Sequence, residues 1–336
     1  MQCPKGGEVW RKPDVANDEG DHRHRLAPLV KRVFQQVSGE PHHPPESLAM
    51  SGKSSNTDPM TAPKEDHLHR ARGALLGLAV GDAIGTTVEF RPRGSFKPLT
   101  DMVGGGPFGL EPGQFTDDTS MALCLAASLI DEGFDLHDQM ARYTRWANDG
   151  YMSSNGRCFD IGIATRGALQ RFQRTGNPLA GSTDPQSAGN GCIMRLAPCI
   201  IWNRNSLSAA IGESVAQALL THGSSDCITY TAALAHELWE GRPLPQYDHL
   251  RDRPINNSGY VADTYASAWY SVRTTKSFHA AIVDAINRGE DADTVGAVAG
   301  MIAGRIYGNS DLIGVSELVK EKEIAMYFDQ LTLSRQ

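Results

Sequence analysis

The chain has 336 residues, 40% of them hydrophobic and 21% charged, an ordinary balance for a soluble globular protein with one large core or two modest ones. A net charge of −7 offers no basic surface for nucleic acid, and no stretch approaches the roughly 18 consecutive apolar residues of a membrane span, so neither is expected as a partner. The six cysteines (Cys3, Cys124, Cys158, Cys192, Cys199, Cys227) are scattered without a C-x-x-C, and the first residues lack the apolar core of a signal peptide. A reduced cytoplasmic protein is the simplest expectation. With 34 glycines and only 7% aromatics, the core must be built from small aliphatics at short backbone distances.

Residues 1–65 differ in character from the rest. They hold Pro pairs, a Ser/Lys/Asn run at 51–57 and clustered histidines (His22, His24, His42, His43) without fixed helical spacing. Only Leu26–Val37 has the pattern of a short amphipathic helix; the remainder buries too little apolar surface to offset its ordering entropy. Two readings stay open: a disordered tail or over-called start, with Met50 and Met60 as alternative starts, or an arm that folds on a partner. The second unit, 66–336, turns helical. Leu75–Ile84, Ser120–Ile130, Ile161–Phe172, Leu207–Leu220, Tyr230–Trp239, Val261–Val272, Phe278–Asn287 and Thr294–Tyr307 fit a period of 3.6 better than one of 2. Cys199–Trp202 is the one weak strand signal, so the fold class is all-α.

Glycine recurs every fourth residue in two of these helices, at Gly73, Gly77, Gly81, Gly85 and at Gly296, Gly300, Gly304, Gly308. Each interior glycine costs about 1 kcal/mol relative to alanine, so eight at one spacing imply close backbone approach. If the two helices pack antiparallel, Asp82 and Glu89 near the end of the first meet Asp291 and Asp293 at the start of the second. Thr116-Asp117-Asp118-Thr119 and Asp291-Ala292-Asp293-Thr294 are matched acidic turns, each opening a small-residue apolar helix. One such turn reads as ordinary dipole capping. Two facing buried helices suggest a shared oxygen-donor site for Mg²⁺ or Mn²⁺.

The remaining polar loops are less specific. Gly104–Gly109 is glycine-rich without being a phosphate-loop motif. Gly189-Asn190-Gly191-Cys192-Ile193-Met194-Arg195 is a backbone-permissive turn ending in a cation able to hold a pyrophosphate. His222 follows a helix end, where a histidine is ordinarily a dipole partner. Asp160-Ile161-Gly162 reads as a helix N-cap.

In chain order, GDAIGTTVEF, GGGPFGLEPGQFTDDTSMAL, FDIGIATRGAL, GNGCIMRLAPC, THGSSD, GYVADTYASAW and DADTVGAVAGMIAGRIYG resemble the ADP-ribosylglycohydrolase family over about residues 68–310. The resemblance implies a compact single-domain all-α globule with a dinuclear Mg²⁺ or Mn²⁺ centre. By position it makes Thr116, Asp117 and Asp118 one set of metal ligands and Asp291, Asp293 and Thr294 the other. Glu89 matches an acidic residue near the scissile bond and is taken as the proton shuttle, with Asp118 as bridging ligand and alternative base. Gly189, Asn190, Gly191 and His222 match positions that contact ADP-ribose, Gly259 and Tyr260 a segment near the adenosine, and Asp160 a substrate-side turn. Ile163 departs from the polar residue some members place there. The activity implied is removal of ADP-ribose from a modified protein, most simply from arginine. The alternative is an immunity protein that neutralises an ADP-ribosyltransferase toxin by hydrolysis or through residues 1–65. A two-metal phosphohydrolase would share the acidic turns but leaves the G-N-G-x-x-M-R loop unexplained.

Overall fold

A computed structural model describes residues 64–308, 312 and 314–334. Leu26–Val37 and the histidine clusters lie outside the described residues. Twelve α-helices follow in order: α1 Lys64–Gly85, α2 Asp117–Glu132, α3 Leu136–Asp149, α4 Ile163–Thr175, α5 Ala197–Trp202, α6 Leu207–Leu219, α7 Ser225–Glu240, α8 Asp248–Arg251, α9 Val261–Thr274, α10 Phe278–Ile286, α11 Ala292–Tyr307 and α12 Glu321–Leu333. Among the described residues extended pairing is confined to four isolated bridges, including Gly189 with Tyr260 and Pro92 with Gly289. The all-α expectation holds.

The expected strand at Cys199–Trp202 is instead part of α5, with Pro198 in its first turn and every residue buried. A short apolar run fits a buried helix turn as well as a strand, and here proline sits where its missing N–H is least costly. Helix α3 carries Leu136, Met140, Tyr143 and Trp146 at helical spacing beneath a polar face, and Asp135 caps it by accepting from the N–H groups of His137 and Asp138. Its polar content hides it from a search for apolar runs, as does that of α12.

Among the described residues helices α1 and α11 form the largest helix–helix interface, and they run antiparallel. A Cβ on Gly73 would lie 2.3 Å from the carbonyl oxygen of Gly304, one on Gly77 2.2 Å from that of Gly300, and one on Gly81 1.9 Å from that of Gly296. The relation is reciprocal, since a Cβ on Gly300 would lie 2.0 Å from the Gly77 oxygen. The glycines therefore give backbone-on-backbone contact, and their propensity cost is offset by packing that no larger residue permits. Helices α9 and α10 cover α11, and α2, α5 and α12 flank α1.

The close approach yields a stability test. Gly300→Ala places a methyl against a fixed carbonyl and should cost on the order of 2 kcal/mol, read as a lowered denaturation midpoint. Gly167→Ala, in α4, meets only the flexible end of Arg171 and should be neutral or stabilising. Equal effects at the two sites would remove the argument for close packing.

Candidate active site

The antiparallel register sets Asp82, one residue past Gly81, beside Asp293, three before Gly296. Asp82 is fully buried and its carboxylate is saturated by the start of α2. Thr116 N and Oγ1 each donate to Oδ1 at 2.9 Å, while Thr119 N and Oγ1 donate to Oδ2 at 3.0 and 2.6 Å. Asp82 thus caps α2 from another helix, and Thr116, the N-cap residue by position, makes no side-chain cap of its own. Its hydroxyl stands instead 3.2 Å from Asp118 Oδ2 and 3.3 Å from Asp293 Oδ2. Thr294 Oγ1 approaches Asp118 Oδ2 at 3.4 Å, and Thr294 N donates to Asp293 Oδ1 at 2.8 Å. Both acidic turns therefore converge on one place.

Three further segments close the site. Glu89 follows the short turn after α1, where Phe90 N donates to Glu290 O at 2.7 Å and Glu290 N returns a bond to Arg91 O at 2.8 Å. This pairing ties Glu89 to the residue before Asp291. Asp160 is not a helix cap: α4 begins at Ile163 with Gly162 as its N-cap, and the Asp160 carboxylate lies within 4.8 Å of that of Asp293. Ile163 itself is 80% exposed. Phe90, Asp160 and Glu290 have φ of 62°, 56° and 55°. Left-handed backbone costs a non-glycine residue about 1–2 kcal/mol, and three of the five such residues described surround this site.

Carboxylate oxygens of Asp82, Asp118 and Asp293 lie within 4.8 Å of one another, as do those of Glu89, Asp160 and Asp293. Asp293 is common to both groups. Burial raises the pKa of Asp82, Glu89, Asp117, Asp118, Asp160, Asp291 and Asp293. Negative charge on neighbouring carboxylates raises Glu89, Asp117, Asp118, Asp160 and Asp293 further. Hydrogen bonds oppose the rise at Asp82 and Asp291. Among the described residues none of the seven has a basic ion-pair partner. Asp118 Oδ1 and Glu89 Oε2 are buried with no hydrogen-bond partner at all. Orphaned oxygens among unneutralised carboxylates fit a cation, and an all-oxygen donor set fits a hard one.

Beside this well lies the Gly189–Gly191 loop. It pairs with the segment before α9, through Asn190 N to Gly259 O at 3.1 Å and Val261 N to Ala188 O at 3.0 Å. Asn190 Nδ2 donates to Asp291 Oδ2 at 2.6 Å and to Thr264 Oγ1 at 2.9 Å, joining loop and well. Arg195 does not reach toward a pyrophosphate. It is fully buried and donates to Gly191 O, to Gln217 Oε1 and O, and to Thr221 Oγ1. The Thr221 hydroxyl, which accepts from Arg195, also hydrogen-bonds with His222 Nδ1, 2.8 Å away. His222 Nε2 is the ring nitrogen facing the loop: a Cβ on Gly189 or Gly191 would lie 3.2 Å from it. Burial and the Arg195 charge push His222 down to about 3, so its ring stays neutral. Tyr260 lies beyond the loop, its hydroxyl donating to Asp226 at 2.6 Å.

The structure therefore brings together Thr116, Asp117, Asp118, Asp291, Asp293, Thr294 and Glu89, with Asn190 in direct contact and Gly189, Gly191, Gly259, Tyr260 and His222 alongside. Asp160, read as a cap or substrate-side turn, joins the acidic well. The scaffold roles of Asp82 and Arg195 are absent from the sequence reading. Asp82, adjacent to Gly81 in the glycine register, carries the signal that could have found the first.

An ADP-ribosylglycohydrolase family profile matches residues 63–254 and 236–322. The chain is 41% identical to the ADP-ribosylarginine hydrolase Tri1 of Serratia proteamaculans (strain 568) over 340 aligned residues, covering 91% of this chain and 92% of that protein. It is 45% identical to the protein of the same name from Pseudomonas putida (strain GB-1), covering 75% and 74%. A solved structure described as an ADP-ribosylglycohydrolase-related protein complex superposes with a TM-score of 0.71 at 36% identity, covering 81% of this chain and all of that one. With helices, acidic turns and glycine loop all in place, the chain belongs to the ADP-ribosylglycohydrolase family.

Proposed function

We propose that this protein hydrolyses the bond between ADP-ribose and arginine side chains of modified proteins, and that its acidic well holds two divalent cations, Mg²⁺ or Mn²⁺. The observation that carries the reading is the pair of carboxylate groups sharing Asp293, buried, orphaned at Asp118 and Glu89, and without basic partners. The arginine assignment rests on the names of the two relatives above. Residues 66–336 form the catalytic unit in this reading, and residues 1–65 an extension.

Thr116, Asp117, Asp118, Asp291, Asp293 and Thr294 would hold the cations, which when bound neutralise the well and orient ribose hydroxyls and water. Asp82 fixes the first turn of α2, so the ligand oxygens need not reorganise during reaction. Asn190 orients Asp291, and His222 Nε2 hydrogen-bonds to the ADP-ribosyl group across the Gly189–Gly191 loop. Hydrolysis adds water oxygen to the ribose anomeric carbon, breaks its bond to the guanidine nitrogen and leaves that nitrogen a proton. Glu89, whose Oε2 has no protein partner and whose carboxyl is pushed well up, moves that proton. Asp118 is the alternative base.

A second reading, compatible with the first, is that the protein protects its cell from an ADP-ribosyltransferase toxin and that residues 1–65 contact it. One observation favours a retained extension: the match to the Serratia protein spans more of this chain than residues 64–336 can supply.

Three outcomes follow. Asp117→Ala and Asp293→Ala should abolish release of ADP-ribose at unchanged helical content, while Glu89→Gln should keep cation and ADP-ribose binding and lose roughly 10²–10⁴ in rate. Full activity in the aspartate variants would remove the cation site, and collapse of cation affinity in Glu89→Gln would make Glu89 a ligand. The second outcome concerns pH. The cluster titrates above its unfolded value of 3.8, so its contribution to apo stability is complete below that pH and is lost as pH rises through the folded values. Cations require the ionised form, so the rise in Tm on adding Mg²⁺ to chelator-treated protein should be larger at pH 8 than at pH 5.5. An equal rise would place the cation elsewhere. Finally, removing residues 1–62 should spare hydrolysis of a small ADP-ribosylated substrate but weaken co-purification with a cognate ADP-ribosyltransferase; equal retention would leave the extension without that role.

A further inference from the structure

Three phenylalanine rings stand at the mouth of the acidic well, and nothing above gives them a task. Phe90 is 62% exposed, held outward by left-handed backbone at φ 62°. Its ring meets Phe108 edge-on at 6.4 Å between centroids, and Phe108 meets Phe159 at 5.3 Å with a 52° tilt. Phe90 directly follows Glu89, and Phe159 directly precedes Asp160. The carboxylates of those two neighbours lie within 4.8 Å of each other and of Asp293. The two acids thus gather at Asp293 while Phe90 is turned out to solvent and Phe159 is half-buried, with Phe108 bridging the rings.

Phe108 is placed by the glycine-rich loop Gly104–Gly109. The loop is a tight hairpin in which Gly105 and Leu110 exchange backbone hydrogen bonds of 2.7 and 2.8 Å. It is fastened to the turn before Glu89 by Thr87 Oγ1 donating to Gly104 O at 3.1 Å. Gly106, at φ 68°, fits against the carbonyl of Thr86, 2.2 Å from where its Cβ would stand. The loop fixes an aromatic side chain relative to the catalytic acid.

We propose that the Phe90–Phe108–Phe159 ridge is the leaving-group subsite, stacking the planar guanidinium of the modified arginine above the Glu89 and Asp160 carboxylates. This rests on the arginine reading given above. Guanidinium is planar, delocalised and weakly hydrated, so it gains from aromatic faces and nearby negative charge together. A serine hydroxyl would gain neither, and a compact, strongly hydrated lysine ammonium would surrender more solvation at an aromatic ridge. The ridge therefore selects the linked amino acid, while the Gly189–Gly191 side addresses the ADP-ribose.

The test uses the full-length protein with Mg²⁺ and ADP-ribosylagmatine, a small guanidine-linked substrate. Phe90→Leu and Phe108→Leu keep apolar bulk but remove the π-face; KM should rise roughly three- to thirtyfold, with Phe108→Tyr near wild type. Calorimetric affinity for free ADP-ribose should not move in any of them. Wild-type KM in both leucine variants would overturn the proposal. So would a parallel loss of ADP-ribose affinity, which would assign the rings to adenine or ribose. If the wild type itself leaves ADP-ribosylagmatine intact while cleaving another ADP-ribosyl linkage, the arginine reading fails first and the ridge proposal falls with it.

Discussion

Carbonyl oxygens of α1 and α11 occupy the space where each other's Cβ atoms would be, and the active-site geometry depends on that contact. It fixes the distance between the helices and also their register, because a glycine must face a glycine turn after turn. Register in turn brings Asp82 beside Asp293 and lets Asp82 cap α2, which presents Thr116, Asp117 and Asp118. A shift of one helical turn, about 5.4 Å, would separate the carboxylate groups beyond sharing a ligand. The acid cluster is therefore positioned by sterics, before electrostatics enters.

Electrostatics works against the same arrangement. Seven buried or half-buried carboxyls with raised pKa values oppose one another, and the fold tolerates them because helix packing and backbone hydrogen bonds to Asp82 hold their elements in place. Arg195 is the counterpart on the substrate side, a buried cation satisfied by carbonyls and hydroxyls without a carboxylate partner. Each side of the cleft keeps a charge that the protein interior does not neutralise.

Much of this was legible in the sequence because it rests on spacing. Glycines four apart report close approach, and acids at paired helix starts report convergence; both hold in the structure. What escaped depends on which way a side chain turns. Asp160 looks like a helix cap, yet its left-handed backbone sends the carboxylate to Asp293. Arg195 follows a permissive loop as a phosphate-binding cation would, yet points inward to hold that loop. Cys199–Trp202 is too short for periodicity to separate helix from strand. Helix α3 was readable from Leu136, Met140, Tyr143 and Trp146, but its polar face obscures it in an average over the segment.

The pairing of α1 with α11 also has a consequence for how the polypeptide comes into being. Synthesis runs from the N-terminus, so α1 leaves the ribosome long before α11 exists, its glycine stripe and small apolar flank without their partner. The interface that must wait for α11 is also the one that assembles the acidic well, and contacts so distant in sequence are slow to close. A growing chain consequently has neither its central packing nor any catalytic competence until nearly all of it has been made. The exposed stripe of α1 is the surface a chaperone would meet in the interval.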